Sequence, residues 1–233
     1  MLRFLKRLVV SGVLLVLVTI VAIQFWFFAH ILYWIDHNPD VTSFMQHRVE
    51  KMREENPRAM LRHEWVTYDH ISINLKRAII AAEDAKFLDH DGFDWEGIQK
   101  AAEKDLKKGK IVAGGSTISQ QLAKNLLLSG ERAWWRKAEE TVITVMIETI
   151  MTKRRILEIY LNVIEWGSGV FGAEAAAEYH FGVSAADMTP EQAAELAAMV
   201  PSPRRYGAGD PDTPYLQKRT MVILSRMNDA VVP

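Results

Sequence analysis

Apolar positions along the chain fall into two regimes. From Leu8 to Ala29 they run almost unbroken. No charged residue occurs there, and only Ser11, Thr19 and Gln24 interrupt the pattern. About 20 apolar residues in a helix span a bilayer core. Arg3, Lys6 and Arg7 precede the run, and Trp26, Phe27, Phe28, Tyr33 and Trp34 cluster at its far end. Cations on one flank place that flank in the cytoplasm, and aromatic rings favour the headgroup layer. A single retained anchor is therefore expected, with the body of the chain outside the cytoplasmic membrane. A cleaved signal peptide wants a shorter apolar core and a small-x-small cleavage site, and none follows the aromatic cluster. A buried core helix is usually shorter.

Beyond the anchor the apolar residues become periodic. Residues 36–64 read as a connector, with a turn at Asn38-Pro39-Asp40 and a charge-rich, solvated stretch from Arg48 to Arg58. Val66, Tyr68, Ile71, Ile73 and Leu75 hint at an extended piece. The pattern is then helical. Asp94 is placed to cap a helix toward Lys108, with Gly109 past its end. Thr117 and Gln120 form a capping-box pair opening a helix through about Leu127. Ile143, Ile147 and Ile150 make a core-facing stripe. Thr152 caps a helix whose Ile156, Leu157, Tyr160 and Leu161 share a face. Gly182 ends an alanine-rich helix begun near Gly172. Thr189, Pro190 and Gln192 open another that Pro201 closes. The expected organisation is a tail over 1–7, a transmembrane anchor over 8–34, a connector over 35–64 and one mainly α domain over 65–233.

Composition removes several options. The chain has 233 residues, a formal charge of −1 and no cysteine. Roughly 200 residues outside the anchor suit one domain with a sizeable core. Near-neutral charge gives no support for a nucleic-acid partner. The lack of cysteine excludes disulfides, thiolate chemistry and cysteine-ligated zinc.

Five segments carry candidate chemistry. Glu83 to Gly92 follows the apolar run Ala78 to Ala82. A carboxylate there is either partly desolvated, with a pKa raised toward general-base range, or a helix-end acid facing water. His90 reads as a packing or hydrogen-bonding group before a ligand. Gly114 to Asn125 pairs glycines with a capped helix, allowing close approach of a ligand and free N–H groups for an anion. Ser116, Gln120, Gln121, Lys124 and Asn125 are its candidate substrate contacts; an ordinary loop and amphipathic helix is the alternative. Arg132, Arg136, Lys137 and Glu140 sit in a charged run that is either a solvated face or, converging with Lys124, a pyrophosphate site. Lys153 to Asn162 favours a structural role. Pro201 to Tyr206 is a rigid loop able to line a groove wall. Leu126 to Leu128 with Trp134 and Trp135 either touch the bilayer or pack in the core.

Together these segments resemble the peptidoglycan glycosyltransferases, the family that includes the glycosyltransferase half of bifunctional penicillin-binding proteins. The resemblance covers about residues 65–206, in the expected order. Glu83 to Gly92 matches an acid-x-x-x-Phe-x-x-His-x-Gly signature. Gly114 to Asn125 is close to the most specific motif, with Ser119 where threonine is usual. Arg136, Lys137 and Glu140 fit Arg-Lys-x-x-Glu. Lys153 to Asn162 fits Lys-x-x-Ile-Leu-Glu-x-Tyr-Leu-Asn, and Pro203 with Tyr206 fits Pro-x-x-Tyr. No Ser-x-x-Lys or Lys-Thr-Gly element follows, so a penicillin-sensitive transpeptidase domain is not expected.

The resemblance implies a lysozyme-like α fold with a second, membrane-facing lobe. It implies lipid II and the growing glycan strand as partners, beside the bilayer and other wall-synthesis proteins, in the bacterial inner membrane with a periplasmic catalytic domain. Glu83 and Glu140 are the implied catalytic residues, Glu83 as general base on the acceptor 4-hydroxyl. Lys124, Arg132, Arg136 and Lys137 are the implied stabilisers of departing pyrophosphate. A divalent cation, Mg²⁺ or Mn²⁺, is expected to ride on the phosphates, without a permanent protein cage. The rival readings are a glycan-cleaving enzyme, which needs an acid but no cationic pyrophosphate site, and a non-catalytic scaffold.

Overall fold

The computed structural model describes residues 2–108, 115–128, 134–207 and 213–233. It divides into two compact units, Met1–Asn38 and Pro39–Pro233.

The first unit is a single long helix, α1 (Leu2–Tyr33). Arg3–Tyr33 is long enough to cross a membrane, and an 18-residue window within it has a mean hydropathy of 2.7. Two of its polar side chains pair within the helix. The Thr19 hydroxyl donates back to the Leu15 carbonyl at 2.9 Å, and His30 Nδ1 lies 2.9 Å from the Trp26 carbonyl oxygen. Such internal pairing lets a polar residue sit in an apolar span at little cost.

The second unit is mainly helical. In chain order it contains α2 (Ser43–Glu55), β1 (Arg62–His63), a 3₁₀ turn (Tyr68–His70), α3 (Ile73–Glu83), α4 (Trp95–Lys108), α5 (Ile118–Leu127), α6 (Trp134–Ile150) and α7 (Lys153–Val163). There follow β2 (Glu165–Gly167), β3 (Val170–Phe171), α8 (Ala173–Phe181), α9 (Pro190–Met199), α10 (Pro203–Tyr206), α11 (Pro214–Arg226) and a 3₁₀ turn (Met227–Asp229). The expected caps that fall on described residues are present, and Gly109 lies outside them. Thr117–Gln120 and Thr189–Gln192 are both reciprocal capping boxes, and Thr152 accepts from the Arg155 amide. Asp94 Oδ1 accepts from the Gly97 amide at 2.9 Å.

Burial centres on α5 and α7. Ile118, Leu122 and Leu126 of α5 are sealed from solvent, as are Ile156, Leu157, Tyr160 and Leu161 of α7. Each fully buried aliphatic side chain contributes about 1.5–3 kcal/mol. Helix α5 packs on α2, α6 and α7, while α9 packs between α3 and α11. Leu127 and Leu128 are also buried, so core packing accounts for the leucine triplet. Trp135 is exposed.

Two sequence expectations need correction. Val66 to Leu75 does not form a strand. Ser72 accepts from the Asn74 amide and caps α3, which begins at Ile73. Leu75 and Ile79 are buried at i, i+4 while Ile73 is exposed, which is helical spacing. Residues 39–64 are also more than a connector. They form α2, which packs on α5, and β1, which pairs in parallel with β3 at Arg62↔Val170 and His63↔Phe171. β2 completes the sheet, antiparallel to β3, with a bulge between Glu165 and Gly167. Its long-range β1 pairing is what local pattern could not show.

Candidate active site

Glu83 is the last residue of α3, where the helix leaves the core. Its side chain is only 12% exposed. Gln121 Nε2 donates to Oε2 at 2.9 Å, and Arg219 Nη2 donates to Oε1 at 3.0 Å. Burial pushes the Glu83 carboxyl above its ordinary value. Its bonds to Gln121 and Arg219, and the charges of Arg219 and Lys124, pull the other way without cancelling the burial. Of the two sequence readings, the desolvated acid is the one the fold builds.

The next residue explains how that acid is held still. Asp84 is buried, and its two oxygens bridge two elements. Oδ1 pairs with His90 Nε2 at 2.9 Å, and Oδ2 accepts from the Ile118 amide at 3.0 Å. The Ile118 amide is a free donor in the first turn of α5, so Asp84 ties the end of α3 to the start of α5. His90 Nδ1 in turn accepts from the Gly92 amide at 3.1 Å. Gly92 has φ +90, and a Cβ there would lie 2.8 Å from Thr144 Cγ2; only glycine fits this turn against α6. The Gly92 carbonyl accepts from Thr117 Oγ1 at 2.7 Å. Lys153 Nζ donates to the His90 carbonyl at 2.6 Å and to Glu148 at 2.8 Å, and Ser119 Oγ donates to the same Glu148 oxygen. Lys153 therefore has the structural role expected of its segment.

The helix so anchored carries the next functional groups. Lys124 lies one turn beyond Gln121 on α5. Burial lowers its pKa. The Glu140 carboxylate opposes that shift, Arg136 and Lys137 reinforce it, and Glu83 opposes it. Glu83 and Lys124 thus feel each other's charge, with Arg136, Lys137 and Glu140 in the same neighbourhood. Glu140 is buried and receives a hydrogen bond from Lys137, whose own side chain is 59% exposed. A cleft of about 290 Å³ opens beside Glu83, lined in part by Asp84, Lys86, Asp94, Gly115 and Ser116.

The remaining expected site residues divide. Ser116 is exposed at the cleft, and its carbonyl oxygen lies 3.5 Å from Gln121 Nε2. Gln120 is buried, and its Oε1 accepts from the Thr117 amide at 3.0 Å as half of the capping box. Asn125 is buried on α5. Arg132 and Gly114 lie outside the described residues. The Pro203–Tyr206 segment forms α10 and packs on β2, with Tyr206 buried and stacked on Tyr215 at 5.7 Å; it is absent from the lining of the Glu83 cleft.

Two neighbours of Glu83 escaped sequence reasoning. Arg219 comes from α11, 136 positions away in the chain. Its local sequence is an ordinary amphipathic helix, and no spacing marks it. Tyr160 donates its hydroxyl to Gln121 Oε1 at 2.9 Å. It lies inside a recognised segment, but its apolar neighbours made it read as core.

Comparison with known proteins narrows what this arrangement serves. A family model described as Transglycosylase matches residues 49–228. A biosynthetic peptidoglycan transglycosylase of Methylobacillus flagellatus is 58% identical over 228 residues, covering 98% of this chain and 99% of that protein. One of Nitrosospira multiformis is 58% identical over 230 residues, covering 99% and 100%. One of Chromobacterium violaceum is 59% identical over 208 residues, covering 89% and 91%.

Proposed function

We propose, from the premise that this chain belongs to the transglycosylase family, that it polymerises lipid II into β-1,4-linked glycan strands and releases undecaprenyl pyrophosphate. As a peptidoglycan transglycosylase, a glycosyltransferase of cell wall biosynthesis, it must join a sugar hydroxyl to an activated sugar. The observation that supports this reading best is the meeting of one desolvated carboxylate with a half-buried lysine. Glu83 is raised by burial toward the range of a general base, and Lys124 stands close enough for each to shift the other.

In this reading Glu83 accepts the proton of the acceptor 4-hydroxyl as that oxygen attacks the donor anomeric carbon. The bond from that carbon to pyrophosphate breaks in the same displacement, inverting the α linkage to β. The electron pair leaves on pyrophosphate, so its departure needs positive charge more than a proton. Lys124, Arg136 and Lys137 supply it, with Arg132 as a further candidate, and they act as preorganised stabilisers. Glu140 holds Lys137 in place. Among the described residues no group of three or more His, Asp or Glu stands together as a metal cage. We propose that Mg²⁺ or Mn²⁺ would ride on the substrate phosphates, and no step above is routed through it.

The single apolar N-terminal helix is compatible with a single-pass anchor. We place it in the inner membrane with a cytoplasmic N-terminus and a periplasmic catalytic unit, on the basis of the flanking Arg3, Lys6 and Arg7. Anchoring beside a lipid-borne substrate raises the effective concentration of both. Other wall-synthesis proteins are natural neighbours there.

The deciding experiment incubates the full chain in detergent with lipid II and, separately, with finished peptidoglycan. Polymer is expected from the first and no cleavage from the second. The Glu83→Gln variant is expected to lose polymerisation by orders of magnitude while still binding lipid II. Equal loss of binding would make Glu83 structural, and cleavage of the finished polymer would replace synthesis with hydrolysis.

A further inference from the structure

Glu83 is gripped at both oxygens from distant parts of the chain. Arg219 of α11 holds Oε1 and Gln121 of α5 holds Oε2. The Gln121 amide is itself oriented from behind, because Tyr160 of α7 donates to its Oε1. With the amide oxygen turned to the hydroxyl, the NH₂ group must face Glu83. The two carboxylate oxygens are thereby made unequal. A hydrogen bond from a guanidinium is about twice as strong as one from a neutral amide, so Oε2 keeps the more basic lone pair.

Arg219 has little else to do. Its Nε is buried with no partner among the described residues, and its side chain is 27% exposed. Among the described residues the Glu83 bond is therefore the anchor of its guanidinium. Among the described residues, Arg219 from α11, Lys124 from α5 and Tyr160 from α7 interact with the Glu83 charge. Asp84 follows it in the chain but is committed to His90 and Ile118. Helix α9, packed on α3, buries alanines and Leu196 and carries the half-buried Glu195.

We propose that Arg219 is a positioning residue for glycosyl transfer: it fixes the Glu83 carboxylate through Oε1 and leaves Oε2 as the atom that takes the acceptor's proton, with Tyr160 holding Gln121 to the same end. This rests on Glu83 as the base. When the 4-hydroxyl adds to the anomeric carbon, its proton passes to Oε2 and pyrophosphate leaves with the electron pair. Arg219 touches neither sugar; it acts through Glu83.

The test is the pH profile of kcat/KM for lipid II polymerisation by the full chain, with wild type, Arg219→Gln, Arg219→Lys, Tyr160→Phe and Glu83→Gln. Without the Arg219 charge, burial is opposed only by Gln121 and Lys124. The acidic limb of the Arg219→Gln profile should move to higher pH, with a loss of about tenfold or more at its acidic end that shrinks toward the alkaline plateau. Arg219→Lys keeps the charge but not the planar fork and should recover part of that loss. Tyr160→Phe should lower kcat several-fold with KM held. A limb that overlays wild type, or a loss equal at every pH, overturns the proposal. Should Arg219→Gln melt below the assay temperature, Arg219→Lys replaces it: a reduced kcat at constant KM supports positioning, and a wild-type kcat overturns it. Failure of the underlying reading looks different, because Glu83→Gln would then polymerise normally.

Discussion

Changing Asp84 to asparagine alters a side chain by one N–H for O exchange, yet the structure leaves that exchange no place to go. His90 Nδ1 accepts from the Gly92 amide, so His90 carries its proton on Nε2 and must donate to Asp84 Oδ1. The Ile118 amide must donate to Oδ2. Both positions therefore demand an acceptor, and only a carboxylate supplies two. Asparagine turns an NH₂ toward one of the two donors. One hydrogen bond to a charged group is lost, about 1.5–3 kcal/mol, and a buried donor is stranded. Discounting for relaxation of the loop, we expect a net cost of about 2–3 kcal/mol. For a unit of this size that corresponds to a fall in Tm of roughly 4–12 °C. Thermal melting in detergent by circular dichroism measures it. Polymerisation should also fall well below wild type at a temperature where the variant is still folded, because Asp84 ties Glu83 to the helix that carries Gln121 and Lys124. A variant with wild-type Tm and wild-type rate would refute the two-acceptor argument and the proposed link between this tie and the reaction.

Other expectations follow from single contacts. Gly92→Ala should cost about 2–4 kcal/mol, since an L residue is strained at φ +90 and its Cβ meets Thr144 and Glu148; urea denaturation reports it. Thr117→Ala should cost about 1–2 kcal/mol by removing the helix cap and the bond to the Gly92 carbonyl, read from the same urea midpoint. Lys124→Ala should depress polymerisation without lowering stability, because burial already disfavours its charge; an unchanged rate removes Lys124 from the scheme. Burial raises the folded-state pKa of Glu83. The folded state binds the proton more tightly than the unfolded one, so this group's contribution is fully present below the unfolded value and is lost as pH rises through the folded value. Glu83→Gln should therefore match or exceed wild-type Tm at neutral pH, with the difference growing as pH rises from 4 to 8; a variant that melts progressively lower than wild type over that range contradicts it.

How legible was this protein in its sequence? The anchor, the capping boxes at Thr117 and Thr189, the Thr152 cap and the Gly182 stop were all readable, because each depends on residues within one or two turns of one another. The acid at Glu83 was visible as a position but ambiguous as chemistry. Its burial depends on what covers α3, and α9 and α11 arrive from more than a hundred residues downstream. The same distance hid Arg219, whose own helix carries no local mark of function. Gln120 carries a signal of both kinds: its residue type suits a ligand contact, and the capping box it completes uses its side-chain carbonyl. The extended piece expected after residue 65 failed because Ile71, Ile73 and Leu75 are spaced by two, yet Ser72 caps a helix that begins among them.

What the sequence determined by itself, then, is everything governed by short-range geometry: one apolar span with cations before it, helices with their ends, and a glycine where the backbone must turn left. Tertiary structure alone decided which polar groups lose water and which meet. The reason is physical. Capping and amphipathic spacing are properties of neighbours along the chain, whereas the free energy of a charge depends on the dielectric and the partners around it, and α5, α7 and α11 bring those to Glu83 only when the chain has folded.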